Sequence, residues 1–389
     1  MSNVCMVAYA NYFTDARIKN YVEALLKAGH EVDVFALGKP EPARLGLRVF
    51  CLMSKTWSKS TLPYVLSQLA FFMLAMWRVS QALGRRRYSL VHVHNMPDFI
   101  VFVALLPKLS GAKVILDVHD TMPETYATKF NLSLSHPLIA LLRLEERISA
   151  AFADAVITTN DLHREALMGH GISADKISIV MNVGNDALFR PQVKRETVGP
   201  LTLAYHGTIA ARLGVDLILE AIHLCISRCP ELRFVLIGDG DYMPSIKQLI
   251  VQLDLTKVVS LSGFVPVECL PERLARVDVG IVGLGRNYEL HRNWGLPVKM
   301  LEYAAMEIPT IAPRLRVIAH YFDDTNAILY RPDDVADMAR CIQEVYLHRD
   351  KLERLKEGLR GFNQQYSWPI MEKRYFDLIN QSRRSTGAN

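Results

Sequence analysis

The first forty residues constrain the fold more than any later stretch. Val4 to Ala8 is an apolar run of strand length, an amphipathic segment from about Asp15 to Ala28 follows a short loop, and Gly29 closes it before a second apolar run, Glu31 to Ala36. That spacing is a βαβ unit. Further strand-length runs recur at Leu90 to His94, Val114 to Val118, Ala155 to Thr158 and Ile177 to Val180, with a long helical stretch from Pro137 to Ala153. The segment VMNVGNDALFRP then reads as a linker that ends a first domain near residue 190, and a fresh strand, Leu201 to Tyr205, opens a second. A chain of 389 residues, 50% hydrophobic and 22% charged, suits two such domains, each with a sizeable core.

Several classes are disfavoured early. The six cysteines are scattered, and a lone C-x3-C at Cys225 and Cys229 without a second pair reads as reduced thiols in a cytosolic protein, not as a metal site. The opening MSNVCMVAYANYF has no basic region ahead of an apolar one, so no signal peptide is expected. A G-x-S-x-G elbow is missing, which excludes that serine-hydrolase arrangement. FVLIGDGDY carries Gly238 and Gly240 but no third glycine, so a dinucleotide fingerprint is not supported.

GLPVKMLEYAAMEIPTIAP, from Gly295 to Pro313, carries the chemistry. Pro297 suits the first position of a helix that should run to about Glu307, ahead of Pro309. Lys299 then falls in the first turn, where the positive end of the helix dipole disfavours a cation unless an anion binds there. Glu302, one turn along the same face, is an acceptor suited to the two hydroxyls of a ribose. The bland alternative is a surface Lys to Glu pair, worth only a few tenths of a kcal/mol.

This stretch resembles the donor-site helix of the family 4 glycosyltransferases of the GT-B fold, in the subgroup with Pro, any residue, Lys, two residues, Glu-Tyr. The wider family carries Glu, seven residues, Glu here; Glu302 matches the second, and Trp294 stands at the first. The resemblance covers nearly the whole chain and implies two doubly wound α/β, Rossmann-like domains facing across a cleft. Residues 1–190 would bind the acceptor and 191–365 the nucleotide sugar, with a C-terminal helix, 366–389, crossing back. YHGTIAARLGVD adds Gly207, which lets backbone approach a phosphate, and Arg212, which matches the family's contact to the diphosphate; Leu213 stands where a neighbouring Lys is usual. In SGFVP, Gly263, Phe264 and Val265 resemble the loop whose amides read the base, while Leu296 and Pro297 would lie on the donor. Asp15 and Arg17 resemble the subgroup's first donor loop, although a helix N-cap and a first-turn charge explain them as well.

His92 and His94 share one face of their strand; no further ligand is spaced to complete a zinc site, so a structural or substrate-contacting role for His94 is favoured. In DVHDTMPETY, His119 matches the family's His at the mouth of the cleft, where it would bond sugar or acceptor. Asp120 and Glu124 are candidate acceptor contacts, and Asp117, His119 and Asp120 could equally form a local turn network.

The function implied is transfer of a sugar from a UDP- or GDP-linked donor to a glycan or polyprenyl-diphosphate-linked acceptor with retention of configuration, in bacterial surface polysaccharide assembly. Arg212, Lys299 and the helix N-terminus would carry the charge of the departing diphosphate, with no metal and no cofactor. Retention would come from same-face attack, the leaving oxygen taking the acceptor proton, so no carboxylate pair is needed. A nucleotide-sugar epimerase, using Asp120 and Glu124 as acid and base, and a non-catalytic nucleotide-sugar-binding partner, suggested by Trp294, are the rivals.

PYVLSQLAFFMLAMW, Pro63 to Trp77, is the most apolar stretch, with Arg78 and then Arg85, Arg86 and Arg87 behind it. It falls short of the about 20 residues that span a bilayer. Either it is a buried helix of the first domain, or it rests on an anionic membrane surface. Residues 1–190 hold 20 Lys and Arg against 16 Asp and Glu, a net of +4 out of +5. A cytoplasmic protein, peripheral on the inner face of the cell membrane in the second case, is the expectation; nucleic acid is not an expected partner.

Overall fold

The computed structural model describes residues 2–39, 44–54, 61–130, 132–192, 199–285 and 294–381. It divides into two units, Met1–Met181 with Met371–Asn389, and Asn182–Ile370. The boundary falls earlier than residue 190, because the segment leaving the first unit already docks in the second: Phe189 is buried among Ala204, Leu274 and Tyr303.

Among the described residues, unit 1 holds a seven-stranded parallel sheet of β1 (Asn3–Asn11), β2 (Glu31–Leu37), β3 (Leu47–Met53), β4 (Leu90–His94), β5 (Lys113–Val118), β6 (Ala155–Thr158) and β7 (Ile177–Ile179), in the order β3-β2-β1-β4-β5-β6-β7. The order reverses direction between β1 and β4, which makes that edge the crevice where such sheets bind ligands. Parallel strands are covered on both faces, which is why β1, β4 and β5 read as almost continuous apolar runs. Helices α1 (Ala16–Lys27), α2 (Thr61–Leu83), α3 (Leu105–Leu109), α4 (Met122–Phe130), α5 (Pro137–Phe152) and α6 (Asp161–Gly169) connect the strands. β3, an apolar run not among the strands expected from the sequence, pairs along β2, where Arg48 binds Asp33 at 2.7 Å and Tyr88 donates to the same carboxylate at 2.6 Å.

The apolar run beginning at Pro63 is part of α2, 23 residues long. Phe71, Ala75 and Val79 are buried in the sheet-covering core, while Leu66, Leu69, Met73 and Trp77 are exposed, so the helix is not wholly buried and presents an apolar outer face. Among the described residues, no helix is long and apolar enough to cross a membrane.

Among the described residues, unit 2 repeats the plan with six parallel strands: β8 (Thr202–His206), β9 (Arg233–Ile237), β10 (Val259–Gly263), β11 (Val279–Ile281), β12 (Thr310–Pro313) and β13 (Ile328–Tyr330), ordered β10-β9-β8-β11-β12-β13. The switch point lies between β8 and β11. Its helices are α7 (Val215–Cys225), α8 (Met243–Gln252), α9 (Leu270–Leu274), α10 (Val298–Ala305), α11 (Arg316–Tyr321), α12 (Val335–Leu347), α13 (Lys351–Tyr366) and α14 (Trp368–Asn380). From Met371 onward α14 belongs to unit 1, where Tyr375 is buried and its hydroxyl meets His92 Nδ1 at 2.9 Å.

Candidate functional site

In unit 2 the strand ends at the switch point are locked together by glycine backbone. Gly207 N donates to Ile237 O at 2.9 Å and Gly238 N to Gly263 O at 2.8 Å, so the loops after β8, β9 and β10 run side by side. A Cβ on Gly238 would lie 1.9 Å from Gly207 O, and one on Gly240 2.1 Å from Ile209 O. The pair in GDGDY therefore serves backbone contact between loops, a use the missing third glycine could not reveal. On the other side of β8, a Cβ on Gly283 would stand 2.3 Å from Gly214 O, which fixes the loop carrying Arg212 against the end of β11.

Helix α10 points its N-terminus at this edge. Pro297 is its N-cap, one position before the expected first turn, with no side-chain cap hydrogen bond. The helix stops at Ala305, two residues before the expected Glu307, because Glu307 turns left-handed at φ 55° and pairs with Arg360 at 2.9 Å. Lys299, in the first turn, lies half-buried with Nζ 3.9 Å from the Tyr205 ring centroid and beside Gly207. Burial, opposed by Glu302 and reinforced by the charge of Arg212, pushes this ammonium down to about 7. An anion would reverse that. Glu302, on the next turn, shares a 2.6 Å hydrogen bond with His206 Nε2 at the end of β8. Tyr303 behind it donates to Ala204 O at 2.8 Å and lies so close to Gly280 that a Cβ there would be 2.5 Å from its ring.

Gly207, Arg212, Pro297, Lys299 and Glu302 thus gather at one switch point, with Leu296 half-buried just ahead of α10. Gly263 (φ 66°), Phe264 and Val265 lie at the end of β10, joined to that group through Gly238. Phe264 is 74% exposed, so it is no core residue, while Val265 packs partly into the core beneath. Between β11 and α10 runs GLGRNYELHRNWGLP, of which residues 286–293 lie outside the described residues. His206 is a candidate site residue that motif matching misses, placed beside Glu302; the signal that could have found it is its place directly before Gly207, at a strand end.

Unit 1 gives several expected contacts a different role. Arg17 is buried, with Nε and Nη2 on the two Asp117 oxygens at 2.8 Å each and Nη1 on Val180 O at 3.1 Å. Three of its five N–H groups are thus held by the fold, which gives it a structural role. Asp15 caps α1, accepting from Ile18 N at 3.1 Å. His94 is buried too, stacked on His92 with centroids 4.4 Å apart and with Nδ1 3.2 Å from Asp117 Oδ2, so it stands behind the surface and not at an acceptor.

His92, His94 and Asp117 form a three-ligand set, completed by the neighbouring strand where sequence spacing offered no third ligand. The set does not fit a metal, since both Asp117 oxygens already hold the fixed cation of Arg17. Burial opposes ionisation of Asp117, but Arg17 and the two histidines outweigh it and hold the carboxyl well below its usual range. Burial pushes His92 down to about 4.

Glu124 is held within the fold as well. Its Oε1 lies 3.0 Å from His170 Nε2, and His170 Nδ1 lies 2.7 Å from Glu146, so it belongs to a buried network of α4, α5 and the end of α6. Burial works against the His170 charge, but these two carboxylates push it up to about 9. His119 and Asp120 are half-buried on the loop after β5, clamped by Asn95, which accepts from His119 N at 3.2 Å and donates to Asp120 O at 2.6 Å. Burial lowers His119 and raises Asp120 from their ordinary values.

Two doubly wound domains, one with a cationic helix N-terminus at its switch point, define a protein of the GT-B class. Residues 14–182 match the glycosyl transferase 4-like domain and residues 200–348 the glycosyl transferases group 1 domain, so the chain is a glycosyltransferase of the GT-B superfamily. It is 24% identical over 362 residues to a phosphatidylinositol N-acetylglucosaminyltransferase subunit of Arabidopsis thaliana, covering 90% of this chain and 75% of that one. It is 22% identical over 347 residues to alpha-D-kanosaminyltransferase of Streptomyces kanamyceticus, covering 86% and 85%. HepE of Anabaena, solved with UDP and glucose, shares the fold with a TM-score of 0.73 at 15% identity, covering 97% of this chain and 99% of that one.

Proposed function

We propose that unit 2 holds a nucleoside-diphosphate sugar and that the chain transfers its sugar, with retention, to a glycan or polyprenyl-diphosphate-linked acceptor taken by unit 1. The observation that carries this reading is Lys299: a half-buried cation in the first turn of a helix, beside Gly207 and near enough to Arg212 to feel its charge. Negative charge develops on the diphosphate as the bond to the anomeric carbon breaks, and these groups stand ready to stabilise it. Glu302, held by His206, would take the ribose hydroxyls, and Phe264 would flank the base. The acceptor oxygen attacks the same face of the sugar, and the leaving diphosphate oxygen takes its proton. His119 and Asp120 line the acceptor side. Support for a nucleotide-sugar donor comes from HepE, whose structure contains UDP and glucose, and support for a lipid-borne acceptor from the relative named for phosphatidylinositol.

The epimerase alternative is weakened by Glu124, whose ion pair with His170 removes one of its two acid/base candidates. Binding of UDP, GDP and ADP to the wild type and to Lys299→Ala by calorimetry tests the donor site. One nucleotide should bind the wild type and lose at least about 10-fold in the variant; equal binding would overturn the assignment. Turnover of donor without acceptor would point to an epimerase, and binding without turnover under any acceptor to a non-catalytic partner.

A further inference from the structure

Helix α5 is apolar on its outward face and carries ionisable groups beside the buried Ile139 and Ala150 of its inward one. Its inward face carries Glu145, Glu146 and Ser149: Ser149 donates to Glu145 at 2.9 Å, and Glu146 meets His170 at 2.7 Å. Its outward face carries Leu138, Leu141, Leu144 and Ile148, spaced three, three and four residues apart, all large and all exposed, Leu141 by 59%. A surface helix in water turns polar side chains to its outward face.

The neighbouring helices present the same kind of face. On α2 the exposed stripe is Leu66, Leu69, Met73 and Trp77, again at helical spacing, with Met73 exposed by 63%. Both α2 and α5 pack on the 3-10 stretch Asp98–Ala104, and α3 continues it with Leu105, Leu106 and Leu109 exposed. Three helices gathered around one short stretch of unit 1 therefore turn leucines outward, a patch of the kind that marks an interaction surface.

Its charge is one-sided. α2 contains no acidic residue, the two acids of α5 point inward, and the exposed charges of α2, α5 and the segment after α2 are Arg78, Arg85, Arg87 and Arg147. Arg78 lies over the Trp77 ring at 4.8 Å, an aromatic and a cation together at the end of the apolar stripe. We propose that this face is a docking surface for an anionic phospholipid bilayer, with the leucines of α2, α3 and α5 entering the headgroup boundary and the arginines meeting lipid phosphates. The inference stands on unit 1 and does not depend on the donor assignment in unit 2.

The test is flotation of the full chain with vesicles of phosphatidylcholine alone and with vesicles containing phosphatidylglycerol. The protein should float with the anionic vesicles, less so at high salt. Met73→Glu and Leu141→Glu should each abolish flotation, and Arg85→Ser with Arg87→Ser should weaken it about fivefold per charge. All these side chains are exposed, so thermal midpoints should stay unchanged. Should a glutamate variant misfold, acyl-chain-brominated anionic lipid gives a second readout: it should quench the wild type and spare Trp77→Phe that quenching. Failure to float with either vesicle would overturn the proposal, as would equal flotation with both that survives Leu141→Glu. A dimer that Leu141→Glu dissolves, with no lipid binding, would also overturn it and assign the face to a second copy. UDP binding, measured in parallel, keeps a failure here separate from a failure of the donor site.

Discussion

His206 and Glu302 are joined by a 2.6 Å hydrogen bond that ties the last residue of β8 to the second turn of α10. The histidine is buried, its ring meets Tyr303 edge-on at 4.6 Å, and the carboxylate it holds is the one proposed to take the ribose. His206 is therefore a positioning residue. His206→Ala should raise KM for the donor about 10-fold and leave kcat within about twofold, because the ribose does not change between ground and transition states. In the double variant with Glu302→Ala the loss should be far from additive, which steady-state kinetics on all four proteins would show. Additive losses would mean that the two act separately.

The doubly wound architecture was legible because each strand is a short apolar run with a helix behind it, and the motif residues of unit 2 cluster because sheets of this kind gather loops at their strand ends. Other features depend on contacts that sequence spacing does not encode. Asp117 meets Arg17 from 100 residues away, and that pair alone explains why a first-loop arginine is structural. His170 draws Glu124 inward from 46 residues away. Gly238 and Gly240 resembled half a fingerprint because close backbone approach to a ligand and to another loop need the same residue. The outward leucines of α5 stayed hidden because periodicity gives a helix two faces without saying which one is inside.

Removing Arg17 should be felt as lost stability. Arg17→Ala leaves Asp117 buried with its main counter-charge gone, and the expected cost is about 3–5 kcal/mol in denaturant unfolding, read as a shift in midpoint. Replacing both residues, Arg17→Met with Asp117→Leu, should cost markedly less than the sum of the single changes. A loss of under about 1 kcal/mol for Arg17→Ala would show that the pair is not what holds the ends of β5 and α1 together.

Arg212→Ala and Lys299→Ala should each lower kcat/KM by about 100-fold or more, the scale for deleting one preorganised charge opposite a developing anion. Arg212 is exposed, so Arg212→Ala should leave the melting curve nearly unchanged, while Lys299→Ala removes a charge that burial disfavours and should not lower it. Because these cations and the α10 N-terminus are assigned the neutralising role, EDTA should leave activity intact. Activity lost to EDTA and restored by Mg²⁺ would show that the diphosphate needs more charge than these groups supply.

Lys299 also makes donor binding depend on pH. Its folded-state pKa of about 7 lies below the ordinary lysine value of about 10.4, chiefly through burial. Between those two values the free native protein is largely neutral at this residue while the unfolded chain is protonated. Stability from this group therefore rises with pH across that window, and the penalty of burying the charge is fully present below it. A bound diphosphate favours the ammonium and raises the pKa again, so binding near pH 8 should take up a proton. Calorimetry of UDP binding in buffers of different ionisation enthalpy should show that uptake, with affinity falling as pH climbs above about 7 and levelling off once the pKa of the complex is passed. Lys299→Arg, charged throughout this range, should bind with a flat pH dependence and no uptake from this position. Uptake of the same size in Lys299→Arg would place the titrating group elsewhere, and no uptake in the wild type would mean that the nucleotide does not touch Lys299.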